Sequence, residues 1–386
     1  MSKTASTFRH LALAAVSALG LSACASTMDR TDAQMDRPGP DAPAAAAFDF
    51  PPPGAAEPMG QGIPFSGEDV DGDNQAVIDA LLEELNLRPY HTLTPVQARE
   101  QPLFSDGVMT VMRQRGMAIT PPEGLREERI QVPGAEGMLD AIVVRPATGT
   151  QPRPVVVYFH GGGWVLASAQ AYIASARALA QELDAVVVSV NYRLAPEAKF
   201  PAQHNDAFAA YRAVRANAAA LGGDPERMIL AGESAGGNLA VATAIDLRNR
   251  NLPLPDHVLA VYPIAGSDLN TESYQEAANA LPLNRAAMAW FFHHTINGPQ
   301  DLRDPRINLV SANLRGLPPV TIVQAQVDPL RSEGQMLAER LRAAGVDVDS
   351  RVFEGATHEF FGAASVIADA EAAQNYAVQR IRSTLR

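Results

Sequence analysis

One serine stands where its hydroxyl could serve as a nucleophile. Ser234 lies in Gly232-Glu233-Ser234-Ala235-Gly236, directly after the apolar run Met228-Ile229-Leu230-Ala231. A strand that ends in Gly-x-Ser-x-Gly and opens into a helix lifts the serine above the sheet edge on a strained turn. Side chains at 232 or 236 would collide with the neighbouring strand and helix. A hydroxyl reacts poorly until a base takes its proton. Of the chain's 8 histidines, His358 has the right setting: it follows the strand-like run 350–353, on a short loop before the last helical stretch. His10 falls in the leader, His91 in a proline-flanked link, His160 in a glycine loop, His204 in a helix, His257 ahead of a strand, and His293 with His294 in a long insertion.

The base needs an acid that holds its tautomer and stabilises its charged form. Asp328 ends the strand-like run 320–327, and the chain then reads Asp328-Pro329-Leu330-Arg331-Ser332-Glu333-Gly334. Asp301 and Asp304 precede that strand and read as solvated loop residues. Ser332 and Gln335 have the spacing of a helix capping box. Acyl transfer also needs N–H donors for the developing oxyanion. His160-Gly161-Gly162-Gly163-Trp164 follows the run 155–159, so Gly161 and Gly162 are candidate donors, with Ala235 at the start of the helix after the serine. The alternative for this loop is a plain glycine turn between strand and helix.

Together these motifs resemble the hormone-sensitive-lipase-like family of α/β-hydrolases, the bacterial carboxylesterases with an HGGG loop. The resemblance runs from about Arg88 to the C-terminus and takes in Tyr192-Arg193-Leu194-Ala195-Pro196-Glu197 with Phe200-Pro201-Ala202, read as packing and loop geometry. One departure is Ser332, where family members often carry Asp. The resemblance implies a serine carboxylesterase that hydrolyses small to medium acyl esters through an acyl-enzyme on Ser234, with Asp328 and His358 completing the triad. It implies no metal and no organic cofactor. Some relatives form homodimers through the edge strand and last helix, so a homodimer is an open expectation. An amidase or peptidase would use the same residues. A non-catalytic binding protein on this scaffold would be expected to have lost one of them.

The elements that must position these residues alternate. Strand candidates fall at 128–132, 139–145, 154–160, 185–192, 228–231, 258–263, 320–327 and 348–353, and helices near 171–183, 205–220, 235–248, 333–344 and 366–384. This predicts an α/β fold with a mostly parallel eight-stranded sheet and helices on both faces. The first two strands read as a hairpin adding an antiparallel edge. Helical patterns at 74–87 and 94–115 suggest part of a cap over the site, or simply helices packed on the sheet. The long insertion 265–317, with Tyr274, Trp290, Phe291 and Phe292, suggests the rest of a helical cap.

The chain has 386 residues and a net charge of −12. That balance argues against nucleic acid as a partner. The lone cysteine, Cys24, cannot form an internal disulfide. It ends Leu21-Ser22-Ala23-Cys24, behind a basic start and an apolar stretch too short to span a membrane. This looks like a bacterial lipobox, with residues 1–23 as a lipoprotein signal peptide and Cys24 as the lipidated residue. The alternative is a plain secretory signal with an incidental cysteine. Residues 24–65, rich in Ala, Pro, Asp and Gly, read as a disordered tether, and 66–386 as the hydrolase domain with cap segments at about 69–115 and 265–317. The expectation is a lipid-anchored envelope protein, with Ala25 favouring the outer membrane.

Overall fold

Valine and isoleucine fill the middle strands because both faces of the sheet are covered. The computed structural model describes residues 69–385 apart from 121, 150 and 151. The expected leader, Cys24 and the tether lie outside these residues. The strands are β1 (Leu125–Gly134), β2 (Gly137–Pro146), β3 (Arg153–Phe159), β4 (Val186–Val190), β5 (Gly223–Glu233), β6 (His257–Val261), β7 (Val320–Val327) and β8 (Val348–Thr357). They form an 8-stranded sheet in the order β1-β2-β4-β3-β5-β6-β7-β8. The β1–β2 hairpin adds the expected antiparallel edge: β2 runs antiparallel to β1 and β4, and the remaining pairs are parallel. Every residue of β4 and β6 is buried.

The helices are α1 (Gly72–Asp79), α2 (Pro95–Arg99), α3 (Phe104–Gln114), α4 (Ile173–Leu183), α5 (Ala202–Ala216), α6 (Ala235–Asn249), α7 (Glu272–Glu276), α8 (Arg285–Thr295), α9 (Arg331–Ala343) and α10 (Ala368–Thr384). The core splits at the sheet. Val155, Val157 and Phe159 pack with Ala207 of α5, Leu239 of α6 and Leu337 of α9. Val156 and Tyr158 face the other way, with Val77 of α1, Val111 of α3, Leu179 of α4 and Val378 of α10.

Three local expectations needed correction. The helix read over 94–115 is two helices, because Pro102 between them lacks an N–H and restricts the residue before it. The pattern at 74–87 continues past α1 as a π-helical turn, Ala80–Glu84. Ser332 caps nothing: it is the second residue of α9, whose N-cap position is Leu330. Instead its hydroxyl accepts the Ser273 N–H at 3.1 Å, and the Ser273 hydroxyl accepts the Ser332 N–H at 3.0 Å, tying α7 to α9.

The N-terminal helices both pack and line. Val77, Leu81 and Val111 are buried in the core on the α4 side, whereas Phe104, Val108 and Met112 also border the cavity described below. The link between α1 and α2 meets the 265–317 insertion directly. The Trp290 indole N–H donates to the Leu93 carbonyl at 3.0 Å, and the rings of Tyr90 and Phe291 lie 6.1 Å apart. Arg99 of α2 reaches the main body, donating to the carbonyls of Val165 and Ala195 at 2.9 and 2.7 Å.

Asp206 of α5 anchors the loop after β4. It is fully buried and accepts from Arg193 at 2.8 and 2.9 Å through the guanidinium and at 3.1 Å through the backbone N–H. It also accepts the Ala135 N–H at 3.0 Å. Removing the carboxylate leaves the Ala135 and Arg193 backbone N–H groups without their acceptor, while the Arg193 guanidinium keeps Glu136 at 2.6 Å. Asp206→Ala should lower unfolding free energy by about 3 kcal/mol in urea titration, and a loss under about 1 kcal/mol would place the pair among ordinary surface contacts.

Candidate active site

Ser234 has φ 56° and ψ −118°, a conformation that L-residues avoid. The turn survives because its neighbours dictate it. The Ser234 N–H donates to the Val261 carbonyl at 2.8 Å, and the Ser234 carbonyl accepts from Asn238 at 3.1 Å and Ile264 at 3.2 Å. A side chain at Gly236 would strike the Phe159 carbonyl, and one at Gly232 would strike the Gly236 carbonyl. Both expected small residues are therefore required by close approach, and Ser234 sits where β5 meets α6.

Asp328 follows β7, and His358 follows β8. His358 Nδ1 lies 2.7 Å from Asp328 Oδ2, and both side chains are buried. The second carboxylate oxygen accepts the Leu330 N–H at 2.9 Å. Next to an acceptor-only carboxylate, Nδ1 carries the proton and Nε2 keeps its lone pair. Burial alone would push this imidazole down, but the charge and hydrogen bond of Asp328, with Glu359 and Glu233 beyond it, leave it raised above the ordinary value. Ser234 and His358 border one cavity of about 930 Å³.

The glycine loop is held from behind. The Tyr192 hydroxyl donates to the His160 carbonyl at 2.8 Å and approaches the Gly161 carbonyl at 3.3 Å. His160 Nδ1 also meets the Gly161 carbonyl at 2.8 Å. Its ring stacks on Tyr192, with centroids 4.3 Å apart, and burial lowers it to about 4, so it is neutral. In a trans peptide the N–H points opposite the C=O. Pinning the carbonyls of residues 160 and 161 therefore pins the amides of Gly161 and Gly162. Neither amide has a hydrogen-bond acceptor among the described residues. Ala235 begins α6, where the N–H groups have no intrahelical partner.

His204, His257 and the rival acids serve structure. His204 pairs with Asn238 at 2.9 Å, and His257 meets Thr321 and Thr384 at 2.9 and 2.8 Å. Asp304 pairs with Arg306 at 2.8 Å, and Asp301 accepts the Asn297 N–H at 2.8 Å.

A family profile described as an alpha/beta hydrolase fold matches residues 156–362, from within β3 to just past His358. The chain belongs to the α/β-hydrolase family. It is similar to carboxylesterase NlhH of Mycobacterium tuberculosis, 41% identical over 254 residues, covering 64% of this chain and 79% of that protein. Esterase LipI of the same species is 36% identical over 290 residues, covering 73% and 90%. Among solved structures, the hyperthermophilic esterase from the archaeon Pyrobaculum calidifontis superposes with a TM-score of 0.73 at 35% identity, over 81% of this chain and 98% of that one.

In this α/β hydrolase the site also holds residues that the motifs did not single out. Glu233 accepts the hydroxyls of Tyr158 and Tyr262, and Glu359 accepts that of Tyr172 at 2.6 Å. Both acids border the cavity. Their signal in the sequence was position: each is adjacent to Ser234 or His358. Tyr90, Leu283, Met288 and Phe291 border the cavity from the two segments expected to cap it.

Tyr192→Phe removes one hydroxyl and leaves the ring that stacks on His160. It should reduce kcat on an ester about tenfold with little change in KM. An unchanged kcat would show that the glycine loop keeps its orientation without that bond.

Proposed function

We propose that the chain is a serine carboxylesterase acting through an acyl-enzyme on Ser234. The observation that carries the reading is the buried Asp328–His358 pair at 2.7 Å, whose His358 borders the same cavity as the strained Ser234. His358 Nε2 takes the Ser234 proton as the oxygen attacks the ester carbonyl. The amides of Gly161, Gly162 and Ala235 receive the oxyanion. His358 then protonates the leaving alcohol, and water repeats the sequence on the acyl-serine. Asp328 stabilises the imidazolium.

The names of the related proteins, carboxylesterase and esterase, support the ester as substrate. A cavity of about 930 Å³ is at the roomy end for a small-molecule pocket and suits small to medium acyl groups. The segments around Tyr90 and Phe291 act as the cap that bounds it.

The decisive assay uses protein lacking residues 1–24 and p-nitrophenyl esters from acetyl to palmitoyl. Short chains should turn over fastest, and Ser234→Ala should lose about 10⁴-fold or more in kcat/KM. Turnover that survives in Ser234→Ala, or its absence in both proteins, would remove the acyl-serine reading.

We also propose that the full chain is lipidated at Cys24 and held on the bacterial envelope, with residues 25–65 as a tether. The support is Leu21-Ser22-Ala23-Cys24 behind a short apolar stretch, since two or more acyl chains anchor stably. Cells fed labelled palmitate should label the protein, and Cys24→Ser should abolish the label and move the protein out of the membrane fraction. An unlabelled wild-type chain would leave a plain secretory signal.

A further inference from the structure

A buried carboxyl, Glu233, and a partly buried one, Glu359, flank the reacting pair, and the steps above use neither. Glu233 precedes Ser234 at the end of β5, and Glu359 follows His358. Glu233 takes the Tyr158 hydroxyl on one oxygen and the Tyr262 hydroxyl on the other. The Tyr262 ring lies beside the His358 ring, with centroids 4.6 Å apart. Glu359 takes the Tyr172 hydroxyl at 2.6 Å.

Backbone strain gathers at the same place. Ser234, Tyr262 and Glu359 have φ of 56°, 32° and 75°. Each such residue costs on the order of 1–3 kcal/mol and persists only where its surroundings impose it. Burying acids is costly as well, and an apolar side chain of similar size would fill the space more cheaply. A cluster that carries both burdens, wrapped around the base, has a role beyond packing.

We propose that Glu233 and Glu359 are positioning residues for His358: with Tyr158, Tyr172 and Tyr262 they fix the plane of the imidazole and hold negative charge near it as it takes the Ser234 proton. The inference rests on Ser234 and His358 being nucleophile and base.

The groups facing His358 are Asp328, Glu359, Glu233 and Tyr262. Ser175, Tyr158, Tyr172 and Tyr262 face the two acids, and Tyr90 faces Glu359 with Asp106 behind it. Burial raises Glu233 to about 7, the charge of Glu359 pushes the same way, and the hydroxyls pull back. Burial also raises Glu359, against the pull of His358 and Tyr172. Glu359 raises Glu233, so the charge on one acid bears on the other.

Each of their negative charges raises His358. Removing one lowers the base, so the acid limb of kcat/KM, which reports loss of the neutral imidazole, moves to lower pH. Loss of one carboxylate also eases ionisation of the other. A single substitution is thus partly compensated, and a double one is not.

The test compares wild type with Glu233→Gln, Glu359→Gln, the double variant, Glu233→Asp and Tyr262→Phe. Two readouts are taken: the pH profile on p-nitrophenyl acetate, and titration of the His358 ring by NMR. Each single Gln variant should move the acid limb down by about half a pH unit, and the double variant further. kcat should fall about tenfold with little change in KM. Glu233→Asp keeps the charge and should leave the limb in place. Tyr262→Phe removes a hydroxyl that favours ionised Glu233, so it should move the limb down too, which covers a Glu233→Gln protein that fails to fold.

The proposal is overturned by an unmoved limb and an unmoved His358 titration in the double variant. If that protein does not fold, the same result in both Glu359→Gln and Tyr262→Phe overturns it. Equal shifts for Asp and Gln at 233 overturn it as well. Absence of wild-type turnover would count against the ester reading, and the ring titration would still decide on the acids.

Discussion

A methyl group would not fit between the first turn of α6 and the end of β3. Gly236 stands where any side chain would run into the Phe159 carbonyl, one residue before the glycine loop begins. The contact brings the start of a helix, with its unpaired N–H groups, against a loop whose Gly161 and Gly162 amides have no acceptor among the described residues. It also forces Ser234 to change direction at positive φ. Ser234 and the amides proposed as oxyanion donors are thus held by backbone packing, before any side chain contributes.

Burial is the second organising force, and it acts on acids and bases in opposite senses. It lowers His160 and His204 to about 4 and His257 to about 3. It raises Glu233 to about 7 and Glu333 to about 8, although Glu333 accepts the Ala265 N–H at 2.8 Å. Among the described histidines His358 alone goes up, because Asp328 touches it directly and more acids stand behind. A base that is buried and still basic needs that surplus of negative charge. The local polarity around His358, more than its place in a loop, sets it apart from the rest.

Much of this could be read without coordinates. Short apolar runs ended by glycine or aspartate place β3, β5 and β7, and the residues just past strand ends are where such sheets keep their chemistry. Ser234, Asp328 and His358 all stand at those ends. What was illegible depended on contacts distant in sequence. Ser332 had capping-box spacing, yet its hydroxyl faces Ser273, 59 residues away. Tyr192 reads as packing in the sequence, whereas its hydroxyl braces the carbonyl of His160, 32 residues earlier. Glu233 looked like the free position of a five-residue motif; only the convergence of Tyr158 and Tyr262 gives it a setting. The break between α2 and α3 has a local signal, Pro102, set within an apolar periodicity that runs across it.

The indole–carbonyl bond between Trp290 and Leu93 joins two stretches of chain separated by 197 positions. Nearby, Tyr90 and Phe291 meet ring to ring above the same cavity. The two segments of the pocket wall are therefore fitted to each other. Recombination that brought the N-terminal segment from one ancestor and the insertion from another would break the match, even with the sheet and its reacting residues intact. A change of pocket shape at one segment therefore calls for a matching change at the other.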